Sequence, residues 1–328
     1  MSLGPIMMDL VGYSLSELES QQIQEGSVGG IILFKRNYKN KDQLVELVRE
    51  IRSIKPNILI SVDHEGGRVW RFEDGFTKLP AMGVIGKIYD EGVNKAYDLA
   101  YSCGFVMASE LLEVGIDFSF APVLDLDYGT SKVIGDRAFH SDPNVVSNLA
   151  KHFIKGMADV GMKAVGKHYP GHGFVVPDSH HELPVDSREM SEIEFDLIAF
   201  KELVAYGLGG IMPAHIIYEN CHSDPAGFSS FWLKDILRKK LNFEGVIFSD
   251  DLSMAGAKFI PQIEGRVDAA IEAGCNMVLV CNHPKELQKV VARKYSFQEG
   301  LTLMKGNLDA KVFKMDYSKH IQQVKNYE

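Results

Sequence analysis

Cysteine is scarce and unpatterned in this 328-residue chain. The four residues, Cys103, Cys221, Cys275 and Cys281, form no Cys-x-x-Cys pair. Cys275 and Cys281 sit in an apolar run, so buried free thiols in a reducing compartment are expected. Positive charge is in deficit: 35 Lys and Arg stand against 44 Asp and Glu, for a net charge of −9. That balance argues against a nucleic-acid groove. No apolar run approaches the roughly 20 residues that span a bilayer, so no membrane partner is expected. The opening MSLGPIMMDLVG has neither the basic region nor the long apolar core of a secretory signal, which sets a cytoplasmic location as the expectation. Internal repeats, low-complexity tracts and Pro/Gly-rich linkers are also missing. With 45% hydrophobic and 24% charged residues, the simplest organisation is one continuous domain over residues 1–328, with a helical extension from about 297.

What is present is a series of short, β-branched apolar runs. They fall at Pro5–Asp9, Gly29–Phe34, Asn57–Val62, Asp117–Val123, Lys163–Gly166, Gly210–Met212, Val246–Phe248 and Asn276–Val280. Continuous rather than alternating apolar character suits strands buried on both faces of a parallel sheet. Helical spacing lies between them, as in Leu44, Leu47, Val48 and Ile51, and again in Val146, Leu149, Ala150 and Phe153. Gly115, Gly161, Gly207 and Gly274 each stand just before a strand, where a helix C′ residue takes the left-handed conformation. Eight strands alternating with helices predict an α/β fold of the (β/α)8 TIM-barrel type. A doubly wound open sheet is the alternative.

Catalytic groups of such a barrel gather at the C-terminal ends of the strands. Those ends read Asp9, Lys35-Arg36, Asp63-His64-Glu65, Asp125 and Asp127, Lys167-His168, His215, Asp250-Asp251, and Asn282-His283. So regular a series of ionisable residues predicts a polar pocket for a small hydrophilic ligand. Ser249-Asp250-Asp251 directly follows the apolar Gly245–Phe248, a position that suits a nucleophile or base. The plainer reading makes one of the two aspartates, Asp251, the cap of the following helix. After the fifth strand, four histidines (His168, His172, His180, His181) lie within 14 residues, among prolines and glycines. Asp178 stands two residues before His180, and a carboxylate that close can orient a histidine and raise its proton affinity, as a general acid/base requires. Asp63 and Arg71 flank Gly66-Gly67 and are candidates either to share a pocket or to pair with each other. Arg137 offers a rigid fork of donors. A zinc site is a competing use of the histidines, but no HExxH occurs and the first strand carries no His-x-His.

GPIMMDLVGY, GGIILFKRN, DHEGGRVWRF, APVLDLD, GDRAF, KHYPGHG, DSH and GVIFSDDLSM follow one another across about residues 4–258. In that order they resemble glycoside hydrolase family 3, and within it the single-domain bacterial β-N-acetylglucosaminidases. The resemblance implies a TIM barrel and a retaining exo-glycosidase that needs no metal or organic cofactor. It implies Asp250 as nucleophile, His180 as acid/base and Asp178 as its orienting partner. Asp63, Arg71, Arg137, Lys167 and His168 are implied as substrate contacts. Many relatives carry an acid/base Glu on a second domain that this chain is too short to hold, and the DSH loop fills that place. Tyr169 departs from the commoner Phe, and Phe174–Pro177 is unusually apolar. The implied partner is a small carbohydrate, an N-acetylglucosamine-containing muropeptide of cell-wall recycling. A zinc-dependent amidohydrolase, a sugar-binding protein without turnover and a phosphorolytic variant are the rival readings.

Overall fold

The computed structural model describes residues 3–176, 183–307 and 316–327. Ten strands occur among them: β1 (Ile6–Asp9), β2 (Val28–Leu33), β3 (Leu59–Val62), β4 (Phe118–Ser119), β5 (Val165–Tyr169), β6 (Val185–Asp186), β7 (Gly210–Pro213), β8 (Ile217–Tyr218), β9 (Val246–Ile247) and β10 (Val278–Val280). Eight of them coincide with the eight apolar runs. Parallel pairing runs β10-β1-β2-β3-β4 on one arc and β5-β7-β9 on the other. Parallel bridges Val123–Lys167 and Phe248–Met277 join the arcs, so the ring closes as a barrel rather than an open sheet. β2, VGGIIL, is buried along its whole length, because helices cover its outer face and the barrel core fills its inner one.

That core is aromatic. Phe118, Phe120 and Phe248 meet with ring centroids 5.3 Å apart, and a contact between β4 and the end of β9 is possible only across the barrel. Gly30 leaves room for Met7 and Met277, whose side chains lie 2.6 and 3.1 Å from where a Cβ would sit.

Eight principal α-helices form the outer layer along the barrel: α1 (Glu17–Gln24), α2 (Lys41–Ile54), α3 (Met82–Glu91), α4 (Val93–Glu113), α5 (Pro143–Asp159), α6 (Met190–Tyr206), α7 (Ile263–Ala273) and α8 (Pro284–Val291). α2 buries Leu44, Leu47, Val48 and Ile51, and Asn40 caps it by accepting from the Gln43 N–H. Gly115, Gly161, Gly207 and Gly274 all adopt positive φ, from +84° to +130°. The helix Phe231–Lys240 is wound more widely, with i→i+5 hydrogen bonding. Beyond α8, α9 (Ser318–Lys325) returns to pack on α4, where Ser102 Oγ meets His320 Nδ1 at 2.9 Å.

Two features depart from expectation. β5 runs on to Tyr169, so Lys167 and His168 stand on the strand rather than in the loop after it. The Lys167 carbonyl accepts from Leu124 N–H at 2.6 Å, which keeps the backbone in the ring after the apolar run ends. β6 and β8 form a two-residue parallel pair too short to leave a periodic signal.

Candidate active site

A cavity of about 620 Å³ opens at the C-terminal ends of the strands. Asp63, Arg71, Arg137, Lys167, His168 and Asp250 all line it. These come from loops and strands separated by up to 187 residues in sequence (Asp63 to Asp250), and the closed ring is what brings them together. Asp178 and His180 lie outside the described residues.

The site is organised by ion pairs rather than by isolated charges. Lys167, almost fully buried, binds Asp63 at 2.6 Å and Glu65 at 2.5 Å. Arg137 grips Glu65 with both arms of its fork, Nε at 2.8 Å and Nη2 at 2.9 Å, while Nη1 donates to the Val133 carbonyl at 3.1 Å. Burial alone would push the Glu65 carboxyl upward, but Arg137 and Lys167 together hold it far below the usual carboxylate range. Burial likewise works against charge on Lys167, and Asp63 and Glu65 reverse it.

Asp63 and Arg71 share the cavity, one of the two expected arrangements, while Asp63 takes Lys167 as its cation. Lys167 stands in the ring with its ammonium on Asp63 and Glu65. Arg71 lines the cavity with its Nε buried and without a hydrogen-bond partner among the described residues. A buried donor of this kind is costly unless something completes it, and a ligand hydroxyl or carbonyl would do so.

Asp125, which follows β4 between β3 and β5, is fully buried. Its Oδ2 meets His168 Nδ1 at 2.7 Å, and its Oδ1 accepts the His168 N–H at 3.1 Å and the His172 N–H at 2.7 Å. An anionic Asp125 needs a donor from His168, so Nδ1 carries the proton and Nε2 is left as the ring's outward atom. Burial would raise the Asp125 carboxyl, and His168 and His172 hold it low instead. His172 is pushed down to about 4, by burial first and by His168 second, and so is neutral at pH 7. Tyr169 is buried beneath, its hydroxyl donating to the Trp232 carbonyl at 3.1 Å. That partner lets a phenol occupy an apolar position without an unsatisfied oxygen.

Asp250 follows β9 at the cavity wall, and the Asp251 N–H donates to its Oδ1 at 2.8 Å. Asp251 is not a helix cap. Its carboxylate accepts from the Ser253 N–H (3.0 Å), the Ser253 hydroxyl (2.7 Å) and the Cys281 N–H at the end of β10 (3.1 Å). Burial, with Asp250 adding to it, pushes its carboxyl up to about 7.

Sequence reasoning passed over Glu65 and Asp125 as site residues, although both stand in the strand-end series, in DHEGG and APVLDLD. Their signal was their position, and nothing local says which neighbour a carboxylate will bind. Cys103, Cys275 and Cys281 are buried free thiols as expected, whereas Cys221 is half-exposed. Among the described residues no three His, Cys, Asp or Glu side chains are grouped to hold a metal ion.

Residues 6–311 match the glycosyl hydrolase family 3 N-terminal domain. The chain is 54% identical over 292 residues to a beta-hexosaminidase of Thioalkalivibrio sulfidiphilus, covering 89% of this chain and 84% of that one. It is 53% identical over 295 residues to a beta-hexosaminidase of Thiobacillus denitrificans, covering 89% and 82%. The crystal structure of NagZ from Neisseria gonorrhoeae in complex with N-trifluoroacetyl-D-glucosamine superposes with a TM-score of 0.94 at 43% identity, covering 100% of this chain and 98% of that one.

Proposed function

The chain belongs to glycosyl hydrolase family 3 and is a β-N-acetylhexosaminidase, and from that premise we propose that it works as a retaining exo-hydrolase on terminal β-linked N-acetylglucosamine. The observation that carries the reading is Asp250 at a strand end, on the wall of a cavity whose other groups suit a sugar: Asp63 to accept from hydroxyls, Arg71 to donate. In the first step an Asp250 oxygen attacks the anomeric carbon as the glycosidic bond breaks, giving a glycosyl ester. His180, oriented by Asp178, gives its proton to the leaving oxygen. In the second step His180 takes a proton from water, the water oxygen attacks the anomeric carbon, and Asp250 leaves as a carboxylate. This departs from the usual pair of carboxylates, and a histidine is chemically suited because a neighbouring aspartate favours its protonated form. Lys167, His168 and Arg137 hold the walls against which the ring is oriented.

The wider setting is part of the same proposal. The leaving group is the muramyl portion of a muropeptide in cell-wall recycling, and the enzyme acts in the cytoplasm. The resemblance of the DSH and KHYPGHG motifs supports the substrate, and the free cysteines suit a reducing compartment.

Release of 4-nitrophenol from its β-N-acetylglucosaminide, with the β-glucoside as control, is the direct test. Preferential cleavage of the N-acetyl substrate, lost in Asp250→Ala with an unchanged circular dichroism spectrum, is expected. His180→Ala should lose more activity on muropeptide-like leaving groups than on 4-nitrophenol, which departs without a proton. Equal loss on both would remove His180 from the acid role. Product analysis with added phosphate separates hydrolysis from phosphorolysis.

A further inference from the structure

We propose that Asp251 is a positioning residue for the nucleophile: a buried carboxylate that ties the end of β9 to the end of β10 and to the turn that follows, and so aims its own N–H at Asp250. The proposal rests on the assignment of Asp250 as nucleophile made above. Its basis is where the hydrogen bonds around Asp251 go. The Asp251 N–H holds Asp250 Oδ1 at 2.8 Å, so the plane of the peptide joining the two residues sets the rotation of the attacking carboxylate. Asp251, which contributes the N–H of that peptide, is itself fixed from three sides, two at its carboxylate and one at its carbonyl. From β10, the Cys281 N–H reaches Asp251 Oδ1 at 3.1 Å. From the turn that follows, Ser253 supplies its N–H to Oδ1 at 3.0 Å and its hydroxyl to Oδ2 at 2.7 Å. From the end of β7, His215 Nε2 lies 3.2 Å from the Asp251 carbonyl oxygen, a contact that requires the proton on Nε2. His215 is itself fully buried and stacked on Phe228, with ring centroids 5.5 Å apart. The next residue continues the lock, Leu252 N–H donating to the Leu279 carbonyl at 2.9 Å.

A turn alone needs only the Ser253 contacts, which an exposed serine or asparagine would provide. The Cys281 and His215 contacts do something else: they tie the strand bearing Asp250 to both of its neighbours in the ring. Rigid placement of a reacting group within a fraction of an ångström is where such contacts act, since a displacement of about 1 Å can cost on the order of 100-fold in rate. Asp251 touches no reacting atom in this scheme and acts through Asp250 alone.

The test compares Asp251→Ala, Asp251→Asn and Ser253→Ala with wild type by steady-state kinetics on the 4-nitrophenyl N-acetylglucosaminide, with thermal unfolding measured alongside. Asparagine keeps an oxygen in the Oδ1 position, so both N–H contacts survive; the charge is lost, and at the Oδ2 position an amide N–H can donate to the Ser253 hydroxyl where the carboxylate accepted from it. Positioning predicts kcat down on the order of 100-fold in Asp251→Ala, within about fivefold of wild type in Asp251→Asn, and lowered by an intermediate amount in Ser253→Ala. KM should stay within about twofold throughout, because Asp63, Arg71 and Arg137 are untouched. If Asp251→Ala does not fold, Ser253→Ala carries the test, and wild-type kcat in it overturns the proposal. A folded Asp251→Ala with wild-type kcat, or an Asp251→Asn as impaired as the alanine variant, also overturns it, the latter by making charge rather than geometry the cause. Wild-type-like turnover in Asp250→Ala removes the nucleophile assignment and the positioning role with it. Turnover lost in Asp250→Ala but intact in Asp251→Ala removes only the positioning role.

Discussion

Replacing Glu65 with glutamine isolates the charge at the centre of the site while leaving its shape. Glu65 is almost fully buried and faces Arg137 at 2.8 and 2.9 Å and Lys167 at 2.5 Å. At an effective dielectric of about 20, one such contact at 2.8 Å is worth about 6 kcal/mol of attraction before desolvation is counted. Withdrawing three ionic groups from water takes back most of that, so the net worth of the cluster against an apolar replacement is small. Removing one member is a different matter, because Arg137 and Lys167 remain buried with Asp63 as the one nearby carboxylate still paired to Lys167. Breaking a buried ionic network in this way costs about 3 kcal/mol or more. For a chain of this size, with an unfolding entropy of about 0.7 kcal/mol/K, that corresponds to a fall in Tm of about 4 °C or more. The Arg137 fork loses its seat in the same variant, so KM for the N-acetylglucosaminide should rise about tenfold. The pH dependence has a definite sign. A carboxyl whose folded pKa lies below its unfolded value contributes stability that is present above the unfolded value, 4.5 for Glu65, and is lost as the pH falls toward the folded one. The Tm gap between wild type and Glu65→Gln should therefore be constant from pH 7 to about 5.5 and narrow below about 4.5. Differential scanning calorimetry across that range, with kinetics at pH 7, is the assay. A Tm within about 1 °C of wild type together with an unchanged KM would refute the account of the cluster.

Three further outcomes are expected. Asp125→Asn offers His168 an amide in place of an anion and removes the reason for a proton on Nδ1, so kcat/KM should fall about 10- to 100-fold with little change in Tm; an unchanged kcat/KM would mean that His168 needs no orientation. Asp251→Asn should gain stability over wild type as the pH rises from 5 to 8, because burial pushes the Asp251 carboxyl up to about 7 and the folded chain must ionise it there, against a lower value when unfolded; thermal scans at both pH values check the sign. Gly171→Ala should lose about 2 kcal/mol or more of stability, since Gly171 has φ +146° and an added Cβ would lie 2.7 Å from the Asp196 side chain, which is itself tied to Arg188 at 2.8 Å and Tyr128 at 3.0 Å; chemical denaturation measures it.

What the sequence determined by itself is the repeating unit and the places where polarity interrupts it. Eight apolar runs locate eight barrel strands because strands buried on both faces have no choice but to be continuously apolar, and that pattern is local. The glycines at 115, 161, 207 and 274 mark helix ends for an equally local reason, the steric cost of a Cβ at positive φ. The strand-end series from Asp9 to His283 marks the face that bears the chemistry. Only the closed ring decided who pairs with whom. Lys167 turns to Asp63 and Glu65, Arg137 closes on Glu65, and Asp125 fastens His168, each pair at least 43 positions apart in the chain. Asp251 looks like a cap in one dimension and becomes a tie between strands in three, because Cys281 and His215 reach it only after β10 and β7 have taken their places beside β9. Charge pairing depends on distance as 1/r, and for residues so far apart in the chain that distance is a property of the barrel.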